Sequence, residues 1–147
     1  MKYLAVLTAL AAACYAQTGL VIETNTNGTV SPGQNMTVVV LKPTESAPSI
    51  EVAIVIAMTQ CPDQDCSSPS FNISQDLERV LYYGPYNPQY SSNRTEPQHQ
   101  NFTVQVPQTP FESGDKVALS VTRFALDESA AGDSVVVQTP FITMNID

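Results

Sequence analysis

The stretch "IEVAIVIAM" (50–58) decides the fold. Glu51 is its one charged residue, and the rest is Ile, Val, Ala and Met, all apolar. Strict alternation places Ile50, Val52, Ile54, Ile56 and Met58 on one face and Ala53, Val55 and Ala57 on the other. A strand apolar on both faces is one that other structure covers on both faces, so this segment is expected at the centre of a sheet.

The same pattern repeats in both directions. Upstream, "LVIE" (20–23) is a short strand, "TNTNGTVSPGQ" (24–34) is turn-rich, and "NMTVVVL" (35–41) alternates with Met36, Val38 and Val40 inward. Downstream, "ERVLYYG" (78–84), "NFTVQV" (101–106), "KVALSVTRFAL" (116–126) and "SVVVQTPFITMNI" (134–146) are further strands. Phe102, Val104 and Val106, then Val117, Leu119 and Val121, are the expected core positions. Pro140 interrupts the last strand, which implies a sheet edge or a bulge. Seven short strands with Pro- and Gly-bearing turns, and no helix of convincing length, predict an all-β fold. The expected form is an antiparallel β-sandwich, immunoglobulin/fibronectin-like in architecture. Trp is missing, so the antibody-type Cys…Trp…Cys pattern is not the basis of this reading.

Residues 1–16 read as a signal peptide: Lys2, an apolar run over 4–13, then "ACYA" (13–16) before Gln17. The apolar run is short of the ~20 residues that span a bilayer. The expected mature chain, 17–147, is one sandwich domain, secreted and extracellular. Over all 147 residues, 6 Lys and Arg face 14 Asp and Glu, a formal charge of −8. No basic cluster offsets phosphate charge, so nucleic acid is not expected. No second apolar run of membrane length follows, so membrane insertion is not expected either.

Cys14 leaves with the signal, and Cys61 and Cys66 of "CPDQDC" remain. In an oxidising compartment, so close a pair reads as a disulfide closing a small loop. Asn-x-Ser/Thr triplets at Asn27, Asn35, Asn72, Asn93 and Asn101 are N-glycosylation acceptors if exposed. Strand alternation turns Asn101 away from the core.

Catalytic chemistry finds little footing. His99 is the only histidine, and no Gly-x-Ser-x-Gly elbow is present. The carboxylates fall mainly in turns. Asp127, Glu128 and Asp133 share one turn but lack the ligand order of a calcium loop. No enzyme activity, cofactor or metal site is expected. The region with binding character is "LYYGPYNPQYSSNRTEPQHQ" (81–100). Residues 84–100 are expected to form a long exposed connection stiffened by Pro85, Pro88 and Pro97. Tyr86 and Tyr90, with Asn87 and Gln89 as polar neighbours, are the candidate contacts, while Tyr82 or Tyr83 packs in the core.

The order "VSPGQNMTVVV" (30–40), "LYYGPYNPQ" (81–89), "QNFTVQVP" (100–107) and "SGDKVALSVTRFAL" (113–126) resembles a family of small fungal proteins, the necrosis-inducing secreted proteins. The resemblance covers nearly the whole mature chain. "CPDQDC" (61–66) stands apart from it, and "ESAAGDSVVVQ" (128–138) follows it only loosely. The resemblance implies a non-catalytic effector whose partner is a host protein, a receptor-like kinase of surface immunity. The alternative, a cell-wall-associated structural or carbohydrate-binding protein touching glycan through 82–90, stays open.

Overall fold

The computed structural model describes residues 19–44, 48–92, 94, 96–128 and 130–147. The expected signal peptide, Glu45 and the acceptor Asn93 lie outside the described residues. Two sheets pack face to face. One holds β1 (Val21–Thr24), β3 (Asn35–Leu41) and β6 (His99–Gln105) in the order β1-β3-β6. The other holds β2 (Thr29–Val30), β4 (Ser49–Gln60), β5 (Arg79–Gly84), β7 (Lys116–Asp127), β8 (Ser134–Gln138) and β9 (Phe141–Ile146). Its order is β2-β9-β7-β4-β5, with β8 also paired to β7. All pairings are antiparallel except β2 with β9. This is the Greek-key connectivity of an immunoglobulin-like sandwich, with β5 at the edge of the larger sheet.

The inward positions carry the core. Met36, Val38, Val40, Ile54, Ile56, Met58, Phe102, Val104, Val117, Leu119, Val121, Met144 and Ile146 are all buried in one cluster. At about 1.5–3 kcal/mol for each fully buried side chain of this kind, the two sheets are held chiefly by this layer.

Among the described residues, nine strands stand where the sequence predicts seven. Thr29–Val30, within the turn-rich stretch 24–34, forms a short strand, and the last strand divides at Thr139–Pro140. Both halves still pair along one edge of β7: β9 through Lys116–Ser120 and β8 through Arg123–Asp127. Pro140 offers no N–H, and its carbonyl instead accepts from Val121 N at 3.0 Å.

The expectation for 50–58 needs one correction. Ile54, Ile56 and Met58 are buried, but Ile50 is 48% and Val52 41% exposed. The pairing of β4 with β7 shifts register between Glu51 and Ala53, where Val52 is an extra residue. One added residue reverses the inside/outside parity of everything beyond it. Ile50 therefore turns outward and Glu51 inward.

Between β4 and β5 the chain makes an excursion stapled by the Cys61–Cys66 disulfide. Cys61, Cys66 and Ile73, with Phe71 beside them, cover Ala118 on the outer face of the larger sheet. Phe71 meets Phe141 edge-on, with ring centroids 5.9 Å apart.

Candidate functional site

Three connections meet at one end of the sandwich: 42–48 between β3 and β4, 85–98 between β5 and β6, and 128–133 between β7 and β8. Backbone hydrogen bonds tie them together. Lys42 N donates to the Gln98 carbonyl at 2.7 Å, and Glu128 N donates to the Pro48 carbonyl at 3.0 Å. In sandwiches of this kind, such an end presents loops of variable sequence on a rigid frame.

The frame beneath the loops is polar. Arg123 is fully buried, and its Nε and Nη2 grip both carboxylate oxygens of Glu51, with Nε–Oε2 at 2.6 Å. Nη1 donates to Gln138 Oε1 at 3.0 Å and Nη2 to Ser49 Oγ at 3.2 Å. Ser49 Oγ in turn donates to Glu51 Oε1 at 3.0 Å, and Lys42 Nζ lies 3.4 Å from the same oxygen. Burial works against ionisation of Glu51. The hydrogen bonds and charge of Arg123, then Ser49 and Lys42, outweigh it and hold the carboxyl below its usual range. The Val52 bulge makes this cluster possible by turning Glu51 inward.

The connection 85–98 is less free than expected. Tyr86 is 2% exposed, packs near Phe102 and donates its hydroxyl to the Val40 carbonyl at 3.1 Å. Burial pushes its phenol well above the usual range. Pro88 is also buried. Gln89 exchanges two backbone hydrogen bonds of 2.9 Å with His99, so the connection is clamped to the start of β6. Tyr86 is thus a core residue and not an exposed contact. A tyrosine can bury its ring and still satisfy its hydroxyl on a strand carbonyl, and this one does. Tyr82 packs against the core with its ring 4.7 Å from Phe102, whereas Tyr83 stands 79% exposed.

The other three candidate contacts do reach the surface. Asn87, Gln89 and Tyr90 are exposed, Tyr90 by 56%. Gln89 Nε2 donates to Asn87 Oδ1 at 2.9 Å, and Asn87 N donates to Gln100 Oε1 at 2.7 Å. The Arg94 guanidinium lies 6.0 Å from the Tyr90 ring centroid, within cation–π reach. Tyr90 borders a cleft of about 220 Å³ with Lys42, Pro43, Thr44, Pro48, Ser49, Pro97 and Gln98. A neighbouring concavity of about 440 Å³ shares Thr44 and Pro97 and adds Glu23, Val39, Leu41, Glu96 and His99. Nothing in the sequence between β3 and β4 foretells that Lys42 and Thr44 share a cleft with Tyr90.

Asn27, Asn35, Asn72 and Asn101 are exposed. Asn35 and Asn101 both face outward from the three-stranded sheet, opposite in sense to Met36 and Phe102. Asn72 borders a groove of about 610 Å³ at the far end of the molecule, with Gln60, Asp76 and Glu78. His99 Nδ1 lies 3.1 Å from the Pro97 carbonyl. Among the described residues, no group of three or more His, Cys, Asp or Glu is placed to hold a metal ion, and no helix is long and apolar enough to cross a membrane. No protein-family model matches the chain, and no curated protein matches it either.

Proposed function

We propose that this chain is a secreted, non-catalytic binding module of effector type that contacts a host protein, of the receptor-kinase class, through its three-loop end. The observation that carries this reading is Tyr90. It is an exposed aromatic beside Arg94 at the rim of a cleft, held on a connection that Pro88, Tyr86 and the Gln89–His99 pair fix in place. Aromatic and Arg side chains on a stiff backbone are the usual anchors of protein contacts, because little entropy is lost when they are immobilised. The resemblance of its motif order to the fungal secreted family supports the effector class.

A second reading draws on the cleft chemistry. Thr44, Ser49 and Gln98 place hydroxyl and amide groups beside the Tyr90 ring, a combination suited to a cell-wall sugar. Affinity capture from host extract, run beside a glycan array, separates the two. Retention of a receptor kinase by the mature chain, lost with Y90A, supports the first reading. Array binding lost with Y90A, with no protein retained, supports the second. Capture and array signals that Y90A leaves unchanged would place the site elsewhere.

A further inference from the structure

The outer face of the larger sheet carries an apolar patch where β8 pairs with the end of β7. Phe124 of β7 and Val135 and Val137 of β8 face outward there, 36%, 62% and 59% exposed. Strand β8 pairs with β7 on one side, and among the described residues no strand pairs with its other side. It carries none of the devices that normally blunt an open edge: no Lys, no Pro within its five residues, no charge.

We infer that β8 is a self-association edge, pairing antiparallel with β8 of a second copy about a two-fold axis through Val136. Its sequence "SVVVQ" suits itself in this register. Val135 lies opposite Val137 of the other copy on the outer face, and Ser134 lies opposite Gln138. Asp133 and Thr139, the flanking residues, also oppose one another, so no like charges meet. Such a pairing is isologous and closes at two copies. Charge permits association at this edge. Copies of a chain with a formal charge of −8 repel, and β8 lets them approach through neutral groups. The acceptors Asn35 and Asn101 face outward from the other sheet, so sugar there leaves the edge uncovered. Five residue pairs place the contact below about 1,200 Å² in total, the range of weak and reversible association.

Sedimentation equilibrium of the mature, disulfide-intact chain tests this, over concentrations up to the order of 200 μM to suit an interface of this size. The expected result is a reversible monomer–dimer equilibrium, with V135K and V137K each weakening it roughly tenfold or more by setting a charge in the paired face. Both side chains are exposed, so circular dichroism should show the native β signature in each variant. The register has its own readout. A mixture of V135C and V137C chains should cross-link on mild oxidation far faster than either chain alone, because only the mixed pair stands directly opposed. A monomer at every concentration, or a dimer indifferent to both lysines, overturns the proposal. Equal cross-linking of each variant alone does so as well. An edge that instead takes up an extended segment of a different protein corresponds to the first of these outcomes.

Discussion

Arg123 and Glu51 form a bidentate pair inside the sandwich, 72 residues apart in sequence, because one bulged residue turns Glu51 toward the core. The guanidinium has no exposed surface, and only 7% of the Glu51 side chain is accessible. Removing one partner strands a buried charge, which costs about 3–5 kcal/mol. Replacing both with apolar groups avoids that loss. R123M and E51L are each expected to lower the denaturant midpoint strongly, and the R123M/E51L double variant to recover most of the loss. Additive losses in urea titrations would refute the coupling.

The pH dependence follows from the same carboxyl. Its folded pKa lies below the unfolded value, which for Glu is about 4.3. The folded state therefore gains stability above about pH 4.3 and loses it as the pH falls through the lower, folded value. Urea unfolding measured from neutral pH downward should show a fall in stability below about pH 4.3 that is shallower in E51Q. An identical acid limb in the two proteins would remove Glu51 as its source.

The two loop tyrosines separate cleanly. Y90A is expected to change stability by about 0.5 kcal/mol or less, as exposed positions usually do. It should weaken partner capture about tenfold, equivalent to ~1.4 kcal/mol. Y86A should do the reverse in kind: a cavity beside Phe102 and a lost hydroxyl bond, costing about 3–5 kcal/mol by analogy with other large aromatics. Paired thermal melts and capture assays on both variants check this.

The disulfide closes a loop of sequence separation 5, so its effect on stability is near the low end, about 2 kcal/mol. Thiol labelling of the native mature protein should find neither Cys61 nor Cys66 free. Reduction should loosen Ile73 and Phe71 over Ala118 and leave the main core in place, seen as faster amide exchange confined to 61–78.

Period-two patterning was enough to read β3 and β6, because each is regular along its length and buries chiefly one face. In β7 it marks Val117, Leu119 and Val121 as core but not Ala118 and Ser120, which are buried on the other face. It failed where regularity breaks. Nothing in "IEVAIVIAM" marks Val52 as the extra residue, since Ile50 and Val52 suit a core face as well as Ile54 does. Only pairing with β7 sets the parity, and that information is non-local. The loops show the same limit. Tyr90, Asn87 and Gln89 were legible as polar and aromatic surface, but Tyr86 looked alike in sequence. Its burial depends on a carbonyl of Val40, 46 residues away. The cleft that joins Lys42 and Thr44 to Tyr90 exists only once the sheets are stacked.

The buried Arg123–Glu51 cluster sets the two ends of the molecule under different controls. The loop-bearing end is braced by ionised groups, so protons reach its rigidity first. The opposite end is braced by sulfur, so reductants reach it first. Acidification and reduction should therefore soften this protein from opposite poles, and a partner that grips the loops would sense the acidity of its surroundings while remaining blind to their redox state.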